Sequence, residues 1–429
     1  MSFAAGYQTT PFWQADAELP AGAGGALPAA ADVVIVGAGY TGLSAAYETA
    51  RAGRTTLVLD AGPIGGGCSS RNGGQVAFSI KPDLEVLAGR YGAGVAERIY
   101  REGFEAVEEL RRFAATPAGE CDWRDVGAFY GAHTRRQFAR LCRAVESQPR
   151  GFEVPVRIVP RAEQSRDIGS DFYHGGVVYP DDAALHPLRL VTALHARAVR
   201  AGASAYDATE VTGIDRERDG FTVHTARGTV RARQVLIATN GYTGRLSPWL
   251  RRRVLPIGSY IIATELLEPA LVRRLMPHGR NLGDTRRVVV YVRPSPDGRR
   301  ILFGGRAAAG ERDVTRCVPR LRAMLAQLFP ELAATQVSHA WMGFVAYTFD
   351  TLPHFGAHDG LFHCLGYCGQ GVPSATYYGR RAGLRMVGDP AGETALEGLS
   401  FPTRPLYGGT PWFLPAAVVG YRICDALGL

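Results

Sequence analysis

The fold is decided by the stretch Val33-Val34-Ile35-Val36-Gly37-Ala38-Gly39-Tyr40-Thr41-Gly42, in which an apolar strand runs directly into a Gly-x-Gly-x-x-Gly turn. In such a turn the first glycine, Gly37, permits the sharp change of direction, and Gly39 allows a pyrophosphate to approach the backbone. Gly42 allows the following helix to pack against the strand. The stretch therefore predicts a strand, a phosphate-binding turn and a helix in succession.

A second apolar strand, Leu57-Val58-Leu59, follows the helix and ends at Asp60. A carboxylate at this position accepts hydrogen bonds from ribose hydroxyls and repels a 2′-phosphate, which disfavours NADP. The N-terminus of the intervening helix offers unpaired N–H groups and a positive dipole end to phosphates. Residues 33–60 thus predict a dinucleotide-binding unit. An ordinary surface turn is the alternative, and the flanking apolar periodicity argues against it.

A long polar, Gly-rich passage with no helical or strand pattern occupies residues 61–75, and it suits backbone wrapped along an extended ligand. Further distinctive blocks are Gly-Gly-Val-Val-Tyr-Pro-Asp-Asp-Ala at 175–183, Ile-Ala-Thr-Asn-Gly at 237–241, Ile-Ala-Thr-Glu at 262–265, Asp-Thr-Leu-Pro at 350–353 and Gly-Tyr-Cys-Gly-Gln-Gly-Val at 366–372. In these blocks the chain resembles the D-amino-acid oxidase (DAO) superfamily of FAD-dependent oxidoreductases, most closely its gamma-glutamylputrescine oxidase branch.

The resemblance implies an α/β fold, α+β overall, in which a Rossmann-like FAD-binding domain is interleaved with an antiparallel-sheet substrate domain. Alternating strands at 257–265, 288–293 and 301–305 independently predict an antiparallel sheet with one buried face. We expect an N-terminal arm at 1–31, a discontinuous FAD-binding domain at 32–83, 151–252 and 341–400, a substrate domain at 84–150 and 253–340, and a C-terminal tail at 401–429. The arm is expected to be extended, and the apolar tail to pack on the body rather than on a membrane.

The resemblance also implies which residues bind FAD. Arg71 is expected to be a polar partner of the flavin or its phosphates, and residues 366–372 to lie beside the pyrimidine edge of the ring, where N–H groups stabilise negative charge. The expected FAD-binding residues are Gly37, Gly39, Tyr40, Thr41, Gly42, Asp60, Ala61, Ser69, Arg71, Asn72, Gly73, Gly74, Gln75, Val211, Ala238, Thr239, Asn240, Gly241, Gly343, Leu352, Gly369, Gln370, Gly371 and Val372.

The attachment of the flavin is expected to be non-covalent. Family branches that bind flavin covalently use a cysteine before the Leu-Pro motif or a histidine in the early Gly-rich loop. Residues 344–350 contain no cysteine, and residues 61–75 contain no histidine. The seven cysteines of the chain are scattered without Cys-x-x-Cys spacing, so no metal site is expected.

One position bears on the substrate class. In the alpha-amino-acid and glycine oxidases of the family, an arginine two residues after the glycine that matches Gly343 clamps the substrate carboxylate. Valine stands there in this chain, at Val345, which favours an amine, a polyamine conjugate or an N-alkyl amino acid. Arg306 is a candidate for holding a remote carboxylate, with a structural arginine as the alternative.

The expected reaction moves a hydride from the carbon next to a neutral amine to flavin N5, and the resulting imine hydrolyses. Candidates for the substrate-facing wall are Tyr260, Tyr291, Trp341 and Phe344. The electron acceptor is O2 or a carrier: the sarcosine-oxidising branch has a lysine that assists oxygen, and residues 299–306 contain none. A flavin dehydrogenase of amino acids therefore stays an alternative.

Charge and composition bear on partners. With 48 basic and 40 acidic side chains the net charge is +8, but the excess is spread as arginine along the chain rather than in a stripe interleaved with aromatic residues. We therefore expect no nucleic-acid partner, although an RNA-modifying or sensor flavoprotein is the alternative of another class. Neither a signal peptide nor a membrane-spanning stretch is evident, so a cytoplasmic location is expected. Nothing in the sequence indicates the oligomeric state.

Overall fold

The computed structural model describes residues 2–306 and 313–428. The strands are β1 (Phe3–Gln8), β2 (Ala30–Val36), β3 (Thr56–Leu59), β4 (Gln75–Val76), β5 (Ala128–Gly131), β6 (Arg157–Pro160), β7 (Gly175–Tyr179), β8 (Ala183–Ala184), β9 (Ser204–Tyr206), β10 (Val211–Glu217), β11 (Gly220–Thr225), β12 (Gly228–Ile237), β13 (Val254–Thr264), β14 (Asn281–Asp284), β15 (Val290–Pro294), β16 (Ile301–Gly305), β17 (Val337–Thr348), β18 (His354–His358) and β19 (Leu361–Leu365). The α-helices are α1 (Tyr40–Arg51), α2 (Leu84–Tyr91), α3 (Ala93–Ala114), α4 (Arg135–Glu146), α5 (Pro187–Arg200), α6 (Pro248–Arg251), α7 (Pro269–Leu275), α8 (Val314–Leu328), α9 (Gly371–Met386) and α10 (Leu414–Leu427).

The first sheet contains the predicted Rossmann-like unit. Its strand order is β10-β11-β12-β2-β3-β9, and β19 and β18 extend it beside β12. The central strands β12, β2, β3 and β9 run parallel, so both faces need a cover. Val33 and Ile35 pack on the helical side, whereas Val34 and Val36 pack in a separate apolar cluster on the opposite face. This alternation confirms the predicted α/β fold.

The second sheet has nine strands in the order β1-β17-β13-β16-β15-β14-β5-β7-β6. Strands β13, β16 and β15 pair antiparallel, as the alternating patterns predicted, and β17, which no pattern indicated, pairs antiparallel with β13. One face packs on α8 around a core that includes Ile262, Phe303 and Leu321. The other face is turned towards the turn and loops that surround the N-terminus of α1.

Several strands depart from the expected division of the chain. The expected arm at 1–31 contains β1, which pairs in parallel with β17 through Phe3 and Val337. Strands β6 and β7 lie in the range expected for the FAD-binding domain, yet they join β5 in the nine-stranded sheet. The same sheet holds the whole of β17, which crosses the expected boundary at 341. Pairing between distant segments produces these assignments, and local patterns do not show it.

The C-terminal tail packs on the body of the protein. Phe401 and Tyr407 are buried, and the Tyr407 hydroxyl donates to the carbonyl of Val254 over 2.6 Å. The carboxylate of Asp425, on α10, accepts hydrogen bonds from the backbone N–H groups of Arg287 and Val288 at 2.7 and 3.1 Å. Within the described ranges, no helix combines the length and the apolarity that crossing a membrane requires.

Candidate active site

The turn between β2 and α1 has the geometry that its glycines allow. Gly37 has a φ of +105°, and a Cβ atom there would lie 2.9 Å from the carbonyl oxygen of Ala238. A Cβ atom on Gly42 would collide with the carbonyl oxygen of Gly37. At Gly39 it would lie 2.8 Å from the Ser69 hydroxyl. The three positions therefore have no space for a side chain, because the turn packs closely against its own backbone, Ala238 and Ser69.

Asp60 lies at the end of β3 with its carboxylate against this turn. One oxygen accepts from the N–H of Ala38 over 2.7 Å, and the other accepts from the N–H of Gly62 over 2.9 Å. Burial raises the pKa of Asp60, and these two backbone hydrogen bonds oppose the rise. Ala61 follows as an exposed residue beside the turn. The carboxylate is thus held where a ribose next to the phosphate-binding turn would lie.

Residues 68–72 close over the N-terminus of α1. The Ser69 hydroxyl accepts from the N–H of Tyr40 over 3.0 Å. The side-chain amide of Asn72 donates to the Ser69 carbonyl over 2.9 Å, and its oxygen accepts from the N–H of Gly74 over 2.8 Å. The Trp13 indole donates to the Asn72 carbonyl over 2.9 Å. The loop is therefore fixed from within and by the N-terminal segment.

Arg71 joins this loop to the nine-stranded sheet. Its Nε donates to the Gly66 carbonyl over 2.8 Å and an Nη donates to the Met342 carbonyl over 3.3 Å. In the other direction, the Trp341 indole donates to the Arg71 carbonyl over 2.8 Å. Arg71 thus forms these three hydrogen bonds with the protein, and its expected contact with the flavin or phosphates stays a prediction.

Arg293 supports the next residues of the loop, and the sequence reading missed it. This arginine on β15 is 5% exposed, and one Nη donates to the carbonyls of Gly73, Gly74 and Leu185 at 3.2, 3.0 and 2.8 Å. Burial lowers the pKa of Arg293 to about 10. Gln75 adds a further link, because its amide donates to the Val292 carbonyl over 3.1 Å. The sheet therefore holds the Gly-rich loop in place.

The predicted blocks at 238–241 and 366–372 meet next to α1. Asn240 has a φ of +48°, and its side-chain oxygen accepts from the N–H of Gly366 over 3.0 Å. The Cys368 N–H donates to the Ala346 carbonyl over 2.9 Å, which fastens the second block to β17. These two segments and the start of α9 also contain the other expected FAD-binding residues of the blocks: Thr239, Gly241, Gly369, Gln370, Gly371 and Val372.

Helices α1 and α9 run parallel and in close contact. A Cβ atom on Gly379 would collide with the Thr41 carbonyl, and one on Gly383 would lie 2.5 Å from the Ala45 carbonyl. Both helix N-termini therefore point the same way, and α9 begins about two turns, or roughly 10 Å, ahead of α1. The Thr41 hydroxyl also hydrogen-bonds the Tyr367 hydroxyl over 2.6 Å. The N-termini of α1 and α9, each with unpaired backbone N–H groups, thus point the same way and lie one ahead of the other along the helix direction.

The inner face of the nine-stranded sheet lies opposite these helix ends, and we define it by Tyr291, Trp341, Gly343, Val345 and Tyr347. Tyr291 lies 3.1 Å from a Cβ atom built on Gly73, and its hydroxyl hydrogen-bonds the Ser259 hydroxyl over 2.9 Å. A Cβ atom on Gly369 would lie 3.7 Å from the Tyr347 hydroxyl and 4.0 Å from Val345. The inner face therefore extends from the Gly-rich loop to the start of α9.

Two of the expected wall residues need comment. Tyr260 is fully buried among Ile262, Phe303 and other residues of the α8 side, so the prediction of a substrate-facing Tyr260 is wrong. The reason is strand alternation, which sends successive side chains to opposite faces. Phe344 does not belong to the inner face as defined above. Its ring packs against that of Tyr242 at a centroid distance of 5.4 Å.

Three further predicted residues lie away from the inner face. Arg306 donates to the Gly258 carbonyl over 2.8 Å and lines a surface cavity of about 380 Å³ together with Arg320 and Arg422. Leu352 is fully buried, and its carbonyl accepts from the Thr348 hydroxyl. Val211 is buried in the apolar cluster on the far side of the parallel sheet. Their expected contacts with ligands stay predictions.

The structure adds Tyr242 and Lys81 to the residues around the inner face. The Tyr242 hydroxyl accepts from the Phe344 N–H over 3.2 Å. The Lys81 ammonium lies 3.1 Å from the Tyr347 hydroxyl. Lys81 is the only lysine of the chain, a signal that composition alone could have supplied. Within the described residues, no group of three His, Cys, Asp or Glu side chains is arranged to hold a metal ion.

A family model described as FAD dependent oxidoreductase, DAO, matches residues 32–383. The chain belongs to the DAO family. Gamma-glutamylputrescine oxidoreductase of Escherichia coli (strain K12) is 32% identical to this DAO protein over 404 residues, which are 93% of each chain. Glycine oxidase of Geobacillus kaustophilus (strain HTA426) is 27% identical over 361 residues, covering 80% of this chain and 89% of that protein.

Solved structures share the fold of this DAO protein. The crystal structure of glycine oxidase from Geobacillus kaustophilus gives a TM-score of 0.71 at 22% identity, covering 88% of this chain and 99% of that one. L-proline dehydrogenase from P. horikoshii gives a TM-score of 0.68 at 18% identity, covering 91% and 99%. The family match shows that the protein is an FAD-dependent oxidoreductase.

The residues present fit FAD. The glycine turn at residues 37–42 and the N-terminus of α1 suit a pyrophosphate, and the Ser69 hydroxyl lies beside them. Asp60 suits the ribose, and the N-terminus of α9 suits a ring that becomes negatively charged when reduced. FAD supplies the hydride-accepting ring when it is bound.

Proposed function

We propose that this enzyme moves a hydride from the carbon next to a neutral amine to flavin N5, and that the resulting imine hydrolyses in water. The proposed substrate is a gamma-glutamyl polyamine, another amine or an N-alkyl amino acid. Binding of such a substrate does not depend on an arginine that clamps a carboxylate at the reacting carbon. The name of the Escherichia coli relative, a gamma-glutamylputrescine oxidoreductase, supports this class.

The observation that carries the proposal is the environment of Val345. This side chain lies on the inner face of the sheet, 4.0 Å from a Cβ atom built on Gly369. A valine cannot donate hydrogen bonds to a carboxylate, so a plain alpha-amino acid would leave its anion unpaired against an apolar surface. Burying an unpaired carboxylate costs several kcal/mol, which favours substrates without one at this place.

The protein's contribution is mainly positioning. Tyr291 and Trp341 would supply a wall that excludes water and orients the amine, and the loop fixed by Asn72 and Arg293 would hold the cofactor against that wall. The N–H groups at the start of α9 would stabilise the negative charge of the reduced ring.

Non-covalent attachment of FAD is part of the proposal. Precipitating the protein with trichloroacetic acid should release all the flavin into the supernatant, and yellow colour that stays in the pellet would contradict it. The electron acceptor is proposed to be O2. An electron carrier is the alternative, because residues 299–306 contain no lysine that could assist the reaction with oxygen.

The test is anaerobic bleaching of the flavin absorbance, followed by admission of air. The panel contains gamma-glutamylputrescine, free polyamines, N-methyl amino acids and D-amino acids. Bleaching by amines with fast recovery in air supports an amine oxidase, and slow recovery identifies a dehydrogenase that needs a carrier. Bleaching by D-amino acids alone would refute the argument from Val345. Colour that persists with every compound would favour a sensor or RNA-modifying flavoprotein.

A further inference from the structure

Lys81 occupies an unusual place in this chain. The sequence contains 48 lysine and arginine residues, and Lys81 is the only lysine among them. Lysine and arginine differ in use: the ammonium is a compact charge with three rotatable donors, whereas guanidinium is a planar fork. A chain that uses arginine everywhere else retains the ammonium at one position, and that position is next to the candidate active site.

The backbone beneath Lys81 is fixed. Ser79 and Ile80 are buried, and the Ser79 hydroxyl donates to the Gly103 carbonyl on α3 over 3.2 Å. The exposed Lys81 side chain then crosses to β17, where its ammonium donates to the Tyr347 hydroxyl over 3.1 Å and lies 4.9 Å from the ring centroid. The charge is thereby directed to one end of the inner face.

Asp350 is the acidic group that influences the pKa of the Cys368 thiol together with Lys81, and its carboxylate is hydrogen-bonded to His354 rather than to Lys81. Among the described residues, no carboxylate forms a salt bridge with Lys81. The Tyr347 hydroxyl that it contacts lies 3.7 Å from a Cβ atom built on Gly369, which puts the charge beside the loop before α9. Burial raises the pKa of the nearby Cys368 thiol, and the Lys81 ammonium is among the charges that oppose the rise.

The distance along the strand indicates what this charge would bind. Val345 and Tyr347 are two residues apart on the same face, which is about 7 Å. The Tyr347 hydroxyl, which the Lys81 ammonium contacts, is therefore displaced along the sheet from the Val345 side chain by up to about that distance, since both lie within 4.0 Å of a Cβ atom built on Gly369. Along an extended chain a displacement of about 7 Å corresponds to roughly five bonds.

We propose that Lys81, oriented by Tyr347, binds the remote carboxylate of the substrate and so selects amines that carry an anion several bonds from the reacting carbon. This inference rests on the proposed amine oxidation and deepens it. The assignment replaces Arg306, which donates to the Gly258 carbonyl and lines a surface cavity away from the inner face.

The experiment compares gamma-glutamylputrescine with N-acetylputrescine, which has the same reacting amine end and amide but lacks the zwitterionic amino-acid head group that carries the remote carboxylate. Lys81→Met is expected to raise KM for gamma-glutamylputrescine about tenfold with kcat changed less than about twofold, and to leave both constants for N-acetylputrescine unchanged. Lys81→Arg, which keeps the charge, should recover most of the loss. Tyr347→Phe should give a smaller increase of KM, and the double variant should lose less than the sum of the single effects.

A binding measurement separates this inference from the proposed reaction. Glutarate, which cannot be oxidised at a carbon next to nitrogen, is titrated against the flavin absorbance of the holoenzyme. Its Kd should rise about tenfold in Lys81→Met even if no amine is turned over. Equal effects on both amines, a change confined to kcat, or an unchanged Kd for glutarate would overturn the role of Lys81. Failure of every amine to bleach the wild-type flavin would overturn the proposed reaction instead.

Discussion

Replacing Arg293 by methionine tests how the sheet supports the cofactor loop. Methionine keeps much of the apolar length of the side chain but removes every hydrogen-bond donor. The carbonyls of Gly73 and Leu185 would then lose the partner that Arg293 supplies, whereas the Gly74 carbonyl would keep its 2.8 Å bond from the Leu185 N–H. Each buried carbonyl left without a donor costs about 1–3 kcal/mol, so two such groups cost about 2–6 kcal/mol.

The free energy of unfolding is measured by urea titration at saturating FAD, for the wild type and for Arg293→Met. The expected loss is about 2–6 kcal/mol, and the variant should also bind FAD more weakly because residues 73 and 74 lose their support. Arg218→Met is the matched control: Arg218 is exposed, and its replacement should change stability by less than about 0.5 kcal/mol. A loss below about 1 kcal/mol in Arg293→Met, with unchanged FAD affinity, would refute the reasoning.

Three other predictions concern the turn, the core and the substrate. Gly42→Ala should abolish FAD binding, because its Cβ would collide with the Gly37 carbonyl. The control Gly89→Ala, whose Cβ meets open space, should retain the full flavin content. Equal flavin contents in the two purified variants would contradict this account of the turn. Burial lowers the pKa of His363 to about 3, so the unfolded chain, whose histidine pKa is near 6.5, binds an extra proton between these values. Stability should therefore fall as pH drops below about 6.5, by up to about 1.4 kcal/mol per pH unit more than in His363→Leu, and parallel pH profiles of the two proteins would reject this. Val345→Arg should raise kcat/KM for glycine or sarcosine at least about tenfold, because guanidinium binds a carboxylate with two hydrogen bonds; a folded, flavin-loaded variant without that gain would show that this position does not face the substrate.

The Rossmann-like unit could be predicted from the sequence because its determinants are local. Gly37, Gly42 and Asp60 follow one another within a single strand, turn, helix and strand, and each has a role set by backbone geometry. The antiparallel strands β13, β15 and β16 were equally predictable, since alternation of apolar residues reflects one buried face.

The remainder depends on contacts between distant parts of the chain. Tyr260 was assigned to the wrong face because the pattern shows a strand but not which side faces the cofactor, and a shift of one residue reverses every side chain. Arg293 and Tyr242 escaped notice because their partners, Gly73 and Phe344, are distant in sequence. The strand β1 was missed because residues 3–8 contain no β-branched residue. This segment is a strand because it pairs with β17.

That pairing also constrains how the protein is made. Phe3 is synthesised long before its partner Val337, which lies in the last third of the described sequence. Until β17 has been synthesised, β1 has no strand to pair with. Contacts between residues so far apart in the sequence form late and slowly. The indole of Trp13, which follows β1, holds the Asn72 carbonyl in the cofactor loop. Complete ordering of the segment that supports the candidate cofactor loop therefore awaits the synthesis of β17, and a bulky group attached close to β1 would hinder the same step.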